Sequence, residues 1–325
     1  MRVVILMSTY QGEPFVAEQI ESILRQLPPD GRLMVRDDGS RDGTASVVRS
    51  FGDPRITLTC GPNIGFARSF FTLMAAAPDD AEMIMLSDQD DVWLPHKIGR
   101  AWEYLKNTNE IPTLYCSRQQ LVDGNLHPIA LSKRCARPPS FQNALTENIV
   151  TGCTAAFNRK ALLLALQIGK QERIYFHDWW LYLVISAFGQ VIADDEATIL
   201  YRQHGGNAIG RGAGIGRYIR ILRFLRKTSW VHIMYSQIEQ LEIAFASRLT
   251  PFQRQLMKKY LNPHQVSSAS RLVFSFKRFR QSLLGDILLR GLLIASVAAG
   301  RGLLNSPPHV TQSNRGKLFT GGDEQ

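Results

Sequence analysis

Met83-Ile84-Met85-Leu86-Ser87-Asp88-Gln89-Asp90-Asp91-Val92-Trp93-Leu94-Pro95 passes directly from an apolar run to a cluster of acids. Four apolar residues of the five between Ala81 and Ser87 read as a buried strand. Three carboxylates within four positions follow it. Carboxylates held this close repel one another and raise each other's pKa. A bound divalent cation removes that penalty, and hard ions such as Mg²⁺ or Mn²⁺ prefer oxygen ligands. Pro95 suits the first turn of a helix, predicted over Lys97 to Leu105. The stretch therefore reads as a strand ending in an acidic metal site at the mouth of an α/β sheet, where such folds bind ligands.

The pattern upstream agrees. Met1 to Met7 holds a first strand, too short and too directly followed by a polar motif for a signal peptide. Pro14 opens a helix with Val16, Ile20, Ile23, Leu24 and Leu27 at helical spacing. Leu33 to Val35 is a second strand, Thr44 to Ser50 a helix, Ile56 to Leu58 a short strand, and Phe66 to Ala77 a helix. Strand and helix alternate through short connections, as in a parallel α/β sheet. Three polar turns follow predicted strands, at 8–12, 37–44 and 88–91. Parallel strands would bring all three to one sheet edge.

Beyond Leu105 the pattern loosens. Leu114 to Cys116 and Val122 to Leu131 read as strands with a turn at Asp123-Gly124-Asn125. Helices are expected over Phe141 to Asn148, Ala161 to Ile168 and Phe176 to Ala187, and two closing strands at Val191 to Ala193 and Thr198 to Tyr201. Neither a GxGxxG turn nor a GxxxxGK[ST] loop occurs, which argues against a Rossmann dehydrogenase or a P-loop ATPase. The four cysteines are scattered without a zinc or disulfide spacing, which points to a reducing cytoplasm.

Ser8-Thr9-Tyr10-Gln11-Gly12, Asp37-Asp38-Gly39-Ser40 with Asp42-Gly43-Thr44, Asn63-Ile64-Gly65 and Asp88-Gln89-Asp90-Asp91 occur in the order and spacing of family-2 inverting glycosyltransferases. Residues 87–93 resemble the rhamnosyltransferase-like branch, echoed by Thr151-Gly152-Cys153-Thr154, His177-Asp178-Trp179-Trp180 and Tyr201-Arg202-Gln203-His204-Gly205. The resemblance covers about residues 2–210. It implies a GT-A nucleotide-diphospho-sugar transferase fold, a mostly parallel sheet flanked by helices. It also implies roles for particular residues. Asp38 would contact the donor base in a pocket lined by Ser8 and Tyr10, with Asn63, Gly65 and Arg68 beside it. Asp88 would lie near the ribose, Asp90 would hold Mg²⁺ or Mn²⁺, and His204 is a candidate late metal ligand with Arg202 on the diphosphate. Asp91 would support the site or cap the helix after it. Asp178 is the expected general base, since inversion needs a carboxylate to take the acceptor's hydroxyl proton. The neighbouring indoles would stack on a sugar. The implied donor is dTDP-L-rhamnose, with other UDP- or GDP-sugars open, and the acceptor a cell-surface glycan or lipid-linked oligosaccharide. The Gln-x-x-Arg-Trp signature of processive synthases is missing, so a single addition is expected. A non-catalytic binding subunit at a membrane is the rival class.

Charge divides the chain. From Arg211 to the end 18 Lys and Arg face 5 Asp and Glu, a net of +13, which leaves the first 210 residues at −3. The expected organisation is a catalytic domain over 1–210, a basic amphipathic helical extension over 211–304 and a disordered tail over 305–325. The run Arg217 to Lys227 segregates basic from apolar residues on a helical wheel, and Arg271 to Arg280 is a second basic-aromatic run. Such helices suit an anionic membrane surface, placing the protein peripherally on the inner face of the plasma membrane; helices packed on the domain are the alternative. No nucleic-acid-binding module is present, so no nucleic-acid partner is expected.

Overall fold

The computed structural model describes residues 1–108, 110–168, 173–203, 230–261 and 280–298. Its strands are β1 (Val3–Thr9), β2 (Arg32–Asp37), β3 (Ile56–Cys60), β4 (Met83–Ser87), β5 (Val92–Trp93), β6 (Thr113–Val122), β7 (Pro128–Leu131), β8 (Ala156–Asn158) and β9 (Gln190–Arg202). The helices are α1 (Val16–Leu24), α2 (Thr44–Ser50), α3 (Phe66–Ala75), α4 (Lys97–Leu105), α5 (Phe141–Ala144), α6 (Arg159–Ala165), α7 (His177–Phe188), α8 (Trp230–Phe245), α9 (Pro251–Leu261) and α10 (Leu283–Ala298).

All the strands join one sheet in the order β3-β2-β1-β4-β8-β6-β9-β5, with β7 paired to β6. The β3, β2, β1 and β4 strands are parallel, as the alternation of strands and helices predicts. Their side chains alternate between two apolar layers, as a two-residue period requires. Val4, Leu6, Ile84 and Leu86 pack with α3, α6 and α7, while Val3, Ile5, Met7, Met83 and Met85 pack with α1, α2 and α4. Both faces of the sheet are covered, which is why these strands read as unbroken apolar runs.

The second half departs from the expected elements: β8 is an addition to them, α6 covers Arg159–Ala165 rather than Ala161 to Ile168, and three further places differ. The two closing strands are one, β9, pairing with β6 across irregular register. Asp194, Asp195 and Glu196 interrupt the apolar pattern without interrupting the strand, because Asp194 turns inward to accept bonds from Arg100 and the Tyr115 hydroxyl. The run from Val122 to Leu131 is a hairpin closed by Asp123, whose Oδ1 accepts the backbone N–H of Asn125 and His127. Helix α5 stops at Ala144, where the Thr146 hydroxyl donates to the Asn143 carbonyl.

Helix α8 packs Ile233, Met234, Ile238, Leu241 and Phe245 into the same core layer as α7, joined by Leu256 and Met257 of α9 and Leu289 of α10. Among the described residues no helix is long and apolar enough to cross a membrane. The basic runs 217–227 and 271–279 and the tail 305–325 lie outside the described residues.

Candidate active site

Parallel pairing carries the three polar turns to one edge, and side chains then tie them together. Gln89 of the acidic loop makes two hydrogen bonds to one residue of the first turn: its Oε1 accepts from Tyr10 N at 2.8 Å and its Nε2 donates to Tyr10 O at 2.9 Å. Gln11 Oε1 accepts from Arg41 N at 2.7 Å, Glu13 Oε2 from Gly43 N at 2.7 Å, and Thr44 Oγ1 from Gly12 N at 2.8 Å. Asp37 closes its own turn by accepting from Ser40 N and Oγ.

Asp38 sits at the centre of a buried network. One oxygen accepts from the Arg36 guanidinium and Ile64 N, the other from Gly65 N at 2.9 Å. Arg36 also donates to Ser69 Oγ and Pro62 O, and Ser8 Oγ donates to Ser69 Oγ at 2.6 Å. Gly65 is in a conformation that favours glycine, with φ of 83°, and this lets its N–H point at Asp38. Ser8, Asp38 and Gly65 thus meet as the notched floor of the edge, and Asp38 is inaccessible to solvent behind them. Asn63 and Arg68 are exposed at its rim, and Tyr10 is partly exposed.

The acidic loop is braced by α1 and β9. Gln19 Nε2 donates to Ser87 Oγ at 2.7 Å and to Asp88 O, Ser22 Oγ accepts from Trp93 N, and Gln26 Oε1 accepts from Ile98 N. None of these three polar residues stands out in the sequence by itself. Their i, i+3, i+7 spacing, on the flank of the apolar stripe of α1 and just past its end, was the available signal. Asp88 and Asp90 are partly exposed, whereas Asp91 is buried and accepts from Arg202 N at 3.2 Å. Helix α4 is preceded by His96, so Asp91 is not its cap. Burial pushes the Asp91 carboxyl well up, with the charges of Asp90 and Asp88 adding to it.

Asp88, Asp91 and Cys153 offer ligand atoms within 4.8 Å of one another, with the Cys153 thiol against the Asp91 carboxylate. The carboxylate oxygens fit a hard divalent cation; the Cys153 thiol does not, because burial and the Asp91 and Asp88 charges push its pKa well up and a protonated thiol is a poor ligand.

Arg202 is 3% exposed and its guanidinium is turned into the protein, to Asp90 O, Gly124 O and Glu18 Oε2, over the Phe15 ring. It clamps α1, the acidic loop and the β6–β7 hairpin together. Removing it leaves several of these groups without a partner, so Arg202→Ala is expected to lower stability by about 3 kcal/mol in urea unfolding. A loss below about 1 kcal/mol would show that the clamp is dispensable. His204 lies outside the described residues.

Lys97 is buried beneath the same loop, with Nζ 3.3 Å from Thr198 Oγ1 and 4.9 Å above the Trp93 ring. Burial pulls its pKa from 10.5 down to about 8, against the opposing pull of Cys153, Asp91 and Cys116. Between those values the unfolded chain holds the extra proton, so on this group's account stability rises with pH from about 8 to 10.5. At neutral pH the full penalty, on the order of 3 kcal/mol, is present. Lys97→Met should therefore melt a few degrees higher than the parent at pH 7, with the gap narrowing toward pH 10. A lower melting temperature at pH 7 would contradict this.

Asp178 stands in the first turn of α7 and is 9% exposed. Its Oδ1 accepts from Trp179 N at 2.7 Å and its Oδ2 from Gly152 N at 3.1 Å. Gly152 begins a 3-10 turn (Gly152–Thr154) whose next residue is Cys153. One turn of chain thus has Asp178 bound at one residue and the Asp88–Asp91 pair against the next. Trp179 and Trp180 are not sugar platforms: both are fully buried, with indole N–H groups bound to Ala144 O and Ala165 O. His177 is likewise in the core, stacked 4.1 Å from Phe70. Beside the turn, Ser117, Gln119, Lys133, Cys135, Thr151 and Asp194 are among the residues lining a cleft of about 140 Å³.

A mixed sheet that delivers polar and acidic loops to the carboxyl edge of its parallel strands defines the GT-A class of glycosyltransferase folds. Residues 4–163 match Glycosyl transferase family 2, and the chain carries a glycosyltransferase domain of that family. Among curated relatives it is 27% identical over 224 residues to the dTDP-rhamnosyl transferase RfbG of Shigella flexneri, covering 63% of this chain and 73% of that one. It is also 27% identical over 182 residues to the UDP-Glc:alpha-D-GlcNAc-diphosphoundecaprenol beta-1,3-glucosyltransferase WfgD of Escherichia coli, covering 56% of this chain and 68% of that one. In fold it resembles residues 1–349 of S. aureus TarS, solved with UDP-GlcNAc, with a TM-score of 0.57 at 14% identity over 91% of this chain and 82% of that chain.

Proposed function

We propose that this glycosyltransferase adds a single sugar, with inversion, from a nucleotide-diphospho-sugar to a hydroxyl of a cell-surface glycan or lipid-linked oligosaccharide. The observation that carries the reading is the 3-10 turn at 152–154, which binds Asp178 at Gly152 and has Asp88 within 4.8 Å of the next residue, Cys153. A base for the incoming hydroxyl and a charge sink for the leaving diphosphate must lie this close for in-line displacement. Asp178 takes the acceptor proton, its carboxylate aimed by Gly152 N and Trp179 N. Asp88 and Asp90 hold Mg²⁺ or Mn²⁺, which when bound supplies Lewis-acid stabilisation of the diphosphate. Ser8, Tyr10, Asn63 and Gly65 line the donor pocket, with Arg68 at its rim, and Asp38 acts on the donor through the 61–65 loop that it holds. Arg202 acts as the clamp of the acidic loop rather than as a phosphate ligand.

The relation to RfbG favours dTDP-L-rhamnose as donor, and the equal identity to WfgD keeps a UDP-sugar as the second reading. The basic C-terminal third supports a location on the cytoplasmic face of an anionic membrane. Calorimetry with dTDP, UDP and GDP, with and without Mn²⁺, tests the donor. Metal-dependent binding of dTDP supports the rhamnosyl reading. Preference for UDP or GDP replaces the donor, and no binding by a folded sample overturns the site.

A further inference from the structure

Over residues 283–291, helix α10 buries a charged residue and exposes apolar ones. A helix on a water-exposed surface turns its charges outward and its apolar residues inward. Here Asp286, 3% exposed, faces the protein and accepts from Arg290 Nε at 2.9 Å, beside the buried Leu289. Across the helix from Leu289, and bordered on one flank by the Asp286–Arg290 pair, it presents Leu283, Leu284 and Ile287, which are 60%, 45% and 55% exposed. With 100° per residue these three lie within one arc of the helix, so they form a continuous apolar edge. The start of the helix is fixed: Gln281 N donates to Glu147 Oε2 at 2.7 Å, and the Gln281 side chain bonds both Arg137 N and Arg137 O. The segment so attached carries exposed Lys133, Arg134 and Arg137, with Arg134 3.8 Å from Asp195.

We infer that the Leu283–Leu284–Ile287 edge of α10, flanked by Lys133, Arg134 and Arg137, is a docking surface for an anionic lipid bilayer. An apolar edge beside a cationic rim is the arrangement that inserts at the headgroup boundary while the cations meet lipid phosphates. Over its described residues the helix reaches about 24 Å in 16 residues, short of about 30 Å of hydrocarbon, which suits a helix lying in the interface. The rim matches lipid in sign, and the chain's net charge of +10 opposes pairing with a second copy. Lys133 also lines the cleft beside Thr151, so docking would set that cleft at the membrane surface, where a lipid-linked acceptor resides. That last consequence rests on the transfer reading above; the docking itself does not.

The test is co-sedimentation of the full chain with phosphatidylcholine vesicles, with and without phosphatidylglycerol. The parent should bind the anionic vesicles and release at high salt. Leu283→Ser/Leu284→Ser/Ile287→Ser keeps every basic residue, so the rest of the C-terminal charge is unchanged; it should weaken binding by about tenfold or more. Lys133→Glu/Arg134→Glu, a pair of exposed positions, should weaken it by about tenfold as well. Melting temperatures confirm that each variant is folded. Parent-like binding by both variants overturns the proposal, as does a parent dimer that the triple serine variant dissociates without any vesicle binding. Nucleotide calorimetry on the same samples separates the readings: nucleotide binding without vesicle binding sinks the docking surface alone, and the reverse sinks the transferase site alone.

Discussion

Asp178→Asn should lower kcat for sugar transfer by about 10²–10⁴ while leaving metal-dependent nucleotide binding within a few-fold of the parent. The substitution keeps the volume and removes the negative charge. One amide oxygen can still accept from Trp179 N or Gly152 N, and the amide nitrogen faces the other donor, so a modest loss of stability accompanies the change. The alternative role for an acid in the first turn of α7 is to complement the helix dipole, worth about 0.3–1 kcal/mol. The two roles separate in the assay: a dipole partner lowers the melting temperature and spares kcat. Transfer at close to the parent rate by Asp178→Asn would remove Asp178 from the chemistry.

Asp90→Asn should weaken Mn²⁺-dependent nucleotide binding by about 100-fold in calorimetry, and Asp88→Asn by a comparable factor. Both carboxylates are partly exposed at the sheet edge, where they can reach a cation and its diphosphate. Asp91 is the control. It is enclosed between Arg202 N and Cys153, and burial already pushes its carboxyl well up. Asp91→Asn replaces a group that gains little from ionising and should leave nucleotide affinity within a few-fold, its effect falling on stability. Loss of metal-dependent binding in Asp91→Asn with retention in Asp90→Asn would move the cation inward, onto the Asp88–Asp91–Cys153 cluster.

What the sequence determined by itself was local and repetitive. The apolar run ending at Ser87, the period of α1 and the acids at 88, 90 and 91 are each written in neighbouring residues, so strands, helices and acidic loop could be placed before any contact was known. The alternation of strand and helix then made the first four strands parallel, which was enough to bring the turns at 8–12, 37–44 and 88–91 to one edge. The tertiary structure decided which side chains face that edge and which are spent holding it. Asp38 is consumed by Arg36 and the 64–65 backbone, Arg202 by the acidic loop 111–112 residues away, and Gln89 by Tyr10 79 residues away. Trp179 and Trp180 look like sugar platforms in the sequence and are core, while the equally apolar Leu283, Leu284 and Ile287 face outward. Periodicity reports only which residues share a face. Whether that face meets protein, ligand or lipid depends on partners brought from a hundred residues away, and a local pattern carries no information about them.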